Sequence, residues 1–209
     1  MALRGIYGVT VAPDEKLNND IRDLQAVRAI LEGRRSAFRE LVHRYTDPIY
    51  SLAYRMTGSP EEAEEAVQEV FARAYRKLDS FDPDKRFFTW LYTIALNYLR
   101  SRGRSRKLQE ERRQLSFDDG VELVLGSSGS PSPEQVAMRK EAGRLIGRAL
   151  GQLKEEYRTV FVLRHLEGLE VKEVAEMLGI PENTVKTKDR RARLQMKELL
   201  LKLGWEESE

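Results

Sequence analysis

The residues best placed to do chemistry in this chain are cations and aromatic rings, and they fall in two stretches. The first follows Gly179-Ile180-Pro181 and holds Lys186, Lys188, Arg190, Arg191, Arg193 and Lys197. Guanidinium and ammonium groups grip phosphates, while side chains near the start of a helix laid in the major groove meet base edges. In the second, Phe87, Phe88, Trp90, Tyr92 and Tyr98 lie within twelve residues and run into Arg100, Arg102, Arg104, Arg106 and Lys107. Aromatic faces stack splayed bases, at about 1–3 kcal/mol per base, and the arginines beside them suit the backbone of a single strand. A chain with both features is expected to find a duplex DNA site and to open it.

Other chemistry is poorly supported. Between Glu61 and Glu69 there are five glutamates and no basic residue. On a helix they spread around the surface, no histidine accompanies them, and no glycine-rich nucleotide loop is present. The only imidazoles are His43 and His165, and His165 has no triad-like setting. The reading is therefore not an enzyme, with no cofactor and no metal. The absence of cysteine excludes disulfides and fits a reducing cytoplasm. No apolar run approaches about 18 residues, and Met1 to Lys16 lacks the pattern of a secretory signal, so no membrane segment is expected.

The elements that must hold these residues read as helices. Residues 1–20 carry little pattern and read as an N-terminal arm. Phe38, Leu41, Val42, Tyr45, Ile49, Leu52, Ala53 and Met56 follow a helical period, with Ser36 as a cap and Pro48 expected to kink or break the helix. Gly58-Ser59-Pro60 is a stop and restart, with Ser59 as N-cap. Ala63, Val67, Val70, Phe71, Ala74 and Leu78 line the next helix, and Asp79 to Lys85 is a loop. A third helix from about Arg86 buries Phe87, Leu91, Ile94, Ala95 and Tyr98. That assigns Phe87 to the core and leaves Phe88 and Trp90 as the more exposed rings, with a loop from Asp79 to Arg86 able to pocket one flipped base.

Residues 108–132, rich in Gly, Ser and Pro toward their end, read as a flexible linker with a small apolar patch from Val121 to Leu125. Helical patterning resumes at Pro133 and passes through Val136, Leu145, Ile146, Leu150, Leu153, Tyr157, Val160, Phe161 and Leu166 to a break at Gly168. Val171 to Lys186 then reads as helix-turn-helix. Ala175 is the small residue where the two helices touch, and Gly179 is free to take positive φ in the turn. Ile180, Val185 and Leu194 are expected inward; Glu182, Asn183, Lys186, Thr187, Arg190 and Arg191 fall outward. An ordinary helical hairpin with a basic surface is the competing reading. The fold class is all-α: two small helical domains, 21–107 and 133–209, on a flexible tether.

Together these stretches resemble the extracytoplasmic-function (ECF, group IV) sigma factors of bacterial RNA polymerase. Glu62 to Tyr75 and Phe88-Thr89-Trp90-Leu91-Tyr92-Thr93-Ile94-Ala95-Leu96-Asn97 resemble sigma region 2. Glu173 to Pro181 and Thr184-Val185-Lys186-Thr187-Lys188 resemble region 4. The match covers roughly residues 34 to 203. The resemblance implies a promoter-specificity subunit that binds core polymerase, reads −35 and −10 elements and helps melt DNA. It implies that Gln68, Arg73 and Arg76 meet the polymerase. It implies that Asp82, Lys85, Arg86, Phe88, Trp90, Asn97, Arg100 and Arg104 meet the melted −10 strand. It also implies that Thr184, Lys186, Thr187, Lys188, Arg190 and Arg191 meet the −35 duplex. Many members of the family have an anti-sigma partner, a class the resemblance admits here. The alternative is a stand-alone helix-turn-helix regulator, which leaves the N-terminal module without a task. Three positions depart from the family pattern: Ser101 stands for an aspartate, Asp189 for an inward apolar residue, and Glu170 for a capping serine.

Overall fold

The computed structural model describes residues 13–109 and 133–205, and among them every regular element is helical. We number the helices α1 (Pro13–Leu31), α2 (Phe38–Thr57), α3 (Pro60–Lys77), α4 (Phe87–Gln109), α5 (Pro133–Gln152), α6 (Glu155–Phe161), α7 (Val171–Leu178) and α8 (Glu182–Lys202). Short 3-10 turns at Arg35–Ala37 and Leu78–Ser80 join neighbours, and a π-helical turn, Val162–Leu166, extends α6. Described residues within Val11–Ala53 and Glu61–Arg112 cluster in one compact unit, and those within Tyr54–Pro60 and Arg113–Glu209 in another. From residue 110 the expected linker lies outside the described residues, as does the Val136 side chain.

In the first unit the helices meet along apolar stripes. Leu41, Tyr45, Ile49 and Leu52 repeat every three or four residues on α2 and are buried, as are Ala63, Ala66, Val70 and Ala74 on α3. The alanines let α3 lie close to its neighbours, while each fully buried Leu or Ile stabilises the unit by about 1.5–3 kcal/mol. α1 contributes Ala26, Val27 and Ile30 and also a wholly buried acid, Asp23, which accepts hydrogen bonds from the Tyr45 hydroxyl and the Arg44 guanidinium. Burial pushes the Asp23 carboxyl above the usual range, and those two donors oppose the rise.

In the first unit, three expectations about where helices start and whether they continue differ from the structure. The segment read as an arm becomes helical at Pro13, where a proline at the start of α1 forfeits no helical hydrogen bond. Ser36 lies inside a 3-10 turn rather than capping α2. Pro48 does not break α2, which runs on to Thr57 with Ile49 and Leu52 fully buried in the turn that follows. Tertiary burial of that stripe outweighs the one missing hydrogen bond. The stop and restart at residues 58–60 forms as expected: Gly58 has φ 71°, and its N–H reaches the Tyr54 carbonyl at 2.8 Å.

The second unit packs Ile146, Ala149, Leu150 and Leu153 of α5 against Val160 and Phe161 of α6, Val174 and Met177 of α7, and Val185, Ala192, Met196 and Leu200 of α8. Gly168, at φ 67°, turns the chain into α7. Leu194, expected inward, is 55% exposed. The buried residues of α8 step from 185 by seven, four and four, and residue 194 falls on the far side of that stripe. Arg158 is buried, and its guanidinium donates to the carbonyls of Met56 (2.8 Å) and Leu153 (2.9 Å) within the same unit.

Candidate nucleic-acid interface

The turn between α7 and α8 is built by local hydrogen bonds. Without a serine at its start, α7 is capped by Glu173, whose carboxylate accepts the Glu170 N–H at 2.8 Å. It ends in a left-handed Gly179 (φ 63°, ψ 35°). The Gly179 N–H returns to the Glu176 carbonyl at 3.3 Å and the Ile180 N–H to the Ala175 carbonyl at 3.1 Å. Those two bonds are the Schellman pattern, which fixes the angle at which the chain leaves α7. Pro181 then precedes α8.

On α8, Val185 and Ala192 face the core, so Glu182, Asn183, Lys186, Thr187, Arg190 and Arg191 are exposed as expected. Thr184 is half-buried. Lys186 and Arg190, one turn apart, have no ion-pair partner among the described residues. Thr187 donates to its own helix, to the Asn183 carbonyl at 2.9 Å. The other two cations are differently placed. Lys188 forms an ion pair with Glu156, with its ammonium 5.9 Å from the Tyr157 ring centroid. That bond holds the Glu156 carboxyl below its usual range. Arg191 reaches the Tyr157 hydroxyl at 3.4 Å. The expected six therefore divide into an outer row and a pair braced against α6.

Asp189 has polar partners of its own. Its Oδ1 lies 2.6 Å from His165 Nε2 and its Oδ2 lies 3.3 Å from Arg193 Nε, with 14% of the side chain exposed. Burial pushes this carboxyl up, but the His165 hydrogen bond and charge, with Arg193 and Arg164, outweigh it and leave it below the usual range. The sequence marks Asp189 as out of pattern and His165 as one of only two imidazoles, and nothing in the linear pattern joins them. A carboxylate on an inward position is the signal that a partner must exist.

In the first unit the loop after α3 is pinned at both ends by buried rings. Phe81, which the sequence does not single out, packs edge-on to Phe87 (5.7 Å between centroids) and Trp90 (5.4 Å). Between Phe81 and Phe87, residues 82–85 are exposed, and Asp82 turns the loop on itself by accepting the Asp84 N–H at 3.0 Å. Arg86 is held by Asp20 of α1 (2.9 Å) and lies over the Phe88 ring at 5.7 Å. Phe88 and Trp90 are half-buried rather than free, and Phe88 lies 4.1 Å from Tyr92. Trp90, Thr93, Ile94, Asn97 and Ser101 follow one another along one side of α4, and Asn97 and Ser101 are exposed. Ser101 donates to the Tyr98 carbonyl at 2.7 Å and adds no negative charge to that track. Arg100 is half-buried; the Arg104 side chain lies outside the described residues.

The exposed stripe of α3 runs through Glu61, Glu64, Glu65, Gln68, Ala72, Tyr75 and Arg76 at helical spacing. Gln68 and Arg76 therefore share a face. Arg73 sits to one side, paired with Glu69 at 3.1 Å and stacked 4.8 Å above the Tyr98 ring. Among the described residues no cluster of side chains could hold a metal ion, and no helix is long and apolar enough to cross a membrane.

Comparison with known proteins matches both units. The Sigma-70 region 2 family matches residues 41–109 and the Sigma-70, region 4 family residues 143–196. The chain is similar to the ECF RNA polymerase sigma factor SigW of Bacillus subtilis, 36% identical over 179 residues, which is 83% of this chain and 94% of the relative. It is similar to the ECF RNA polymerase sigma-E factor of Escherichia coli, 34% identical over 186 residues, 85% of this chain and 93% of the relative. Among solved structures it resembles CnrH in complex with the cytosolic domain of CnrY (TM-score 0.61, 26% identity, 86% of this chain and 97% of that one). It also resembles the sigma factor RpoE in complex with the anti-sigma factor NepR from Bartonella quintana (TM-score 0.57, 25% identity, 78% of this chain and 96% of that one).

Proposed function

This chain belongs to the ECF sigma factors, the promoter-recognising subunits of bacterial RNA polymerase, and from that premise we propose which side chains carry each part of the task. The −35 duplex is met by α8. Lys186, Thr187 and Arg190 make the primary contacts, Thr184 lies at their edge, and Lys188 and Arg191 act chiefly as braces. The observation that carries this is the exposed Lys186–Arg190 pair, one turn apart on the first half of a helix whose exit from α7 is set by Gly179. Helical N-terminal halves carry the base-reading positions of such motifs.

The melted −10 strand is taken by the first unit. Phe88 and Trp90 offer ring faces, Asn97 and Arg100 continue the track along α4, Arg104 is a further contact to the strand, Lys85 holds a phosphate, and Arg86, paired with Asp20, braces the Phe88 ring at the edge of the strand. Asp82 shapes the loop rather than touching the strand, since its carboxylate already closes the turn. Gln68 and Arg76 meet the polymerase from the α3 stripe, with Arg73 fixed behind them.

Residues 21–107 and 133–209 act as the two recognition modules and residues 108–132 as their tether. Either module alone binds weakly. Held together on polymerase, the second contact becomes intramolecular, and affinity rises with effective concentration. The chain acts in the cytoplasm as a regulatory subunit without catalytic chemistry of its own. An anti-sigma protein is its further partner, a class supported by the NepR complex among its structural neighbours.

Run-off transcription with purified bacterial core polymerase and a promoter-fragment library tests this reading. Specific transcripts are expected only when the chain is added. Tight duplex binding without polymerase, and no transcripts, would overturn it in favour of a stand-alone regulator.

A further inference from the structure

Asp189 is an anomaly in a DNA-binding helix. It places a carboxylate between Lys188 and Arg190, on the part of α8 assigned to phosphates, where a negative charge opposes binding. Its side chain is nearly enclosed, so its charge must be met from within the protein. Two groups do so. Arg193 comes from one turn along the same helix, and His165 comes from the π-helical turn after α6, its ring 4.8 Å from Phe161. Arg164 also faces this carboxylate from the same turn and lies 3.8 Å from Glu170, at the start of α7. Glu156 and Lys188 pair with each other, and Glu167, two residues after His165, pairs with Arg55.

Of the groups around Asp189, only His165 belongs to a residue type that ordinarily changes charge between about pH 5 and 8. It is also a contact from another element that seats the middle of α8. We infer that His165 is a positioning residue for −35 recognition, acting through Asp189, and that its protonation couples DNA affinity to pH. With the imidazole protonated, the pair is neutral and α8 presents its cations unopposed. With it neutral, one N–H can still donate to the carboxylate, which Arg193 continues to balance, but the cluster behind α8 carries one positive charge fewer toward the phosphates. Binding therefore weakens as pH rises through the imidazole range. The inference rests on the assignment of α8 to the −35 duplex.

The test uses the full chain assembled with core polymerase on a promoter fragment selected from the run-off library, at fixed ionic strength. Affinity is measured from about pH 5.5 to 8.5, a span that brackets the imidazole range. The wild type is compared with the doubly substituted His165→Phe/Asp189→Leu chain, which replaces the polar pair by an apolar one. The wild type is expected to lose about three- to tenfold more affinity than the double variant over that range. Equal pH slopes would overturn the coupling while leaving α8 on the DNA. If Lys186→Ala/Arg190→Ala leaves −35 use untouched, the assignment of α8 itself fails. Should the double variant not fold, NMR of the wild-type imidazoles decides. The His165 ring signals are expected to shift when a duplex carrying the selected −35 element is added at a pH within the imidazole range, while those of exposed His43 stay still. An unmoved His165 would refute the inference.

Discussion

Removing Lys186 and Arg190 together should separate groove-facing cations from braces on the recognition helix. Both side chains are exposed, one turn apart, and without an ion-pair partner among the described residues, so each is available to a phosphate or base edge. Deleting one cation that neutralises a phosphate lowers the slope of log affinity against log salt by about 0.9, so Lys186→Ala/Arg190→Ala should lower it by about 1.8. A fourfold rise in salt, from about 50 to 200 mM, then shrinks the affinity deficit of the variant by about tenfold. Any base hydrogen bonds made by Arg190 add about 1–3 kcal/mol that salt does not remove. Lys188→Ala supplies the contrast. Its ammonium is committed to Glu156, with 23% of the side chain exposed, and a surface pair of that kind contributes about 0–1 kcal/mol. Its removal should leave the salt slope unchanged and cost little affinity. The assay is competition binding of a promoter fragment by the chain on core polymerase over a salt series. The interface with polymerase is common to all variants and cancels in the comparison. If Lys188→Ala lowers the slope as much as Lys186→Ala alone, Lys188 leaves Glu156 for the DNA and the division of α8 into row and brace is wrong.

Two further outcomes follow from the same geometry. Phe88→Ala should impair promoter opening more than closed-complex formation, by about 5- to 150-fold if it removes one stacked base worth about 1–3 kcal/mol; permanganate reactivity set against closed-complex binding measures this, and equal effects on both would refute it. Gly179→Ala should lower stability by about 1–2 kcal/mol in urea, because φ is 63° and the added Cβ meets nothing within 4 Å, so the cost is conformational rather than steric. Gly179→Asn should cost less, and an asparagine variant as unstable as the alanine one would show that the turn does not require the left-handed conformation.

Most of the helices are legible in the sequence because burial repeats at the helical period. Leu41, Tyr45, Ile49 and Leu52 form a stripe that can be read without knowing what covers it. The same logic misplaces Leu194, since a long basic helix with few apolar residues offers two nearly equivalent stripes. The one through Ala192 and Met196 is selected by the packing of α5, α6 and α7. Pro48 departs from expectation for a related reason: its local penalty is visible in the sequence, while the burial that offsets it is not.

By itself, the sequence determined the all-helical class, the helix-turn-helix with its glycine turn, the order of aromatic and basic stretches, and through their resemblance the sigma family. Each of these depends on neighbours in the chain, on helical period, turn chemistry and local charge. What the tertiary structure decided was which cations are available. Lys186 and Lys188 look alike in sequence, yet one points outward and the other is bound by Glu156, 32 residues away. Asp189 and His165 meet across 24 residues, and Asp20 reaches Arg86 across 66. These pairings depend on how helices cross, and crossing is set by the fit of buried side chains, which a linear pattern does not contain.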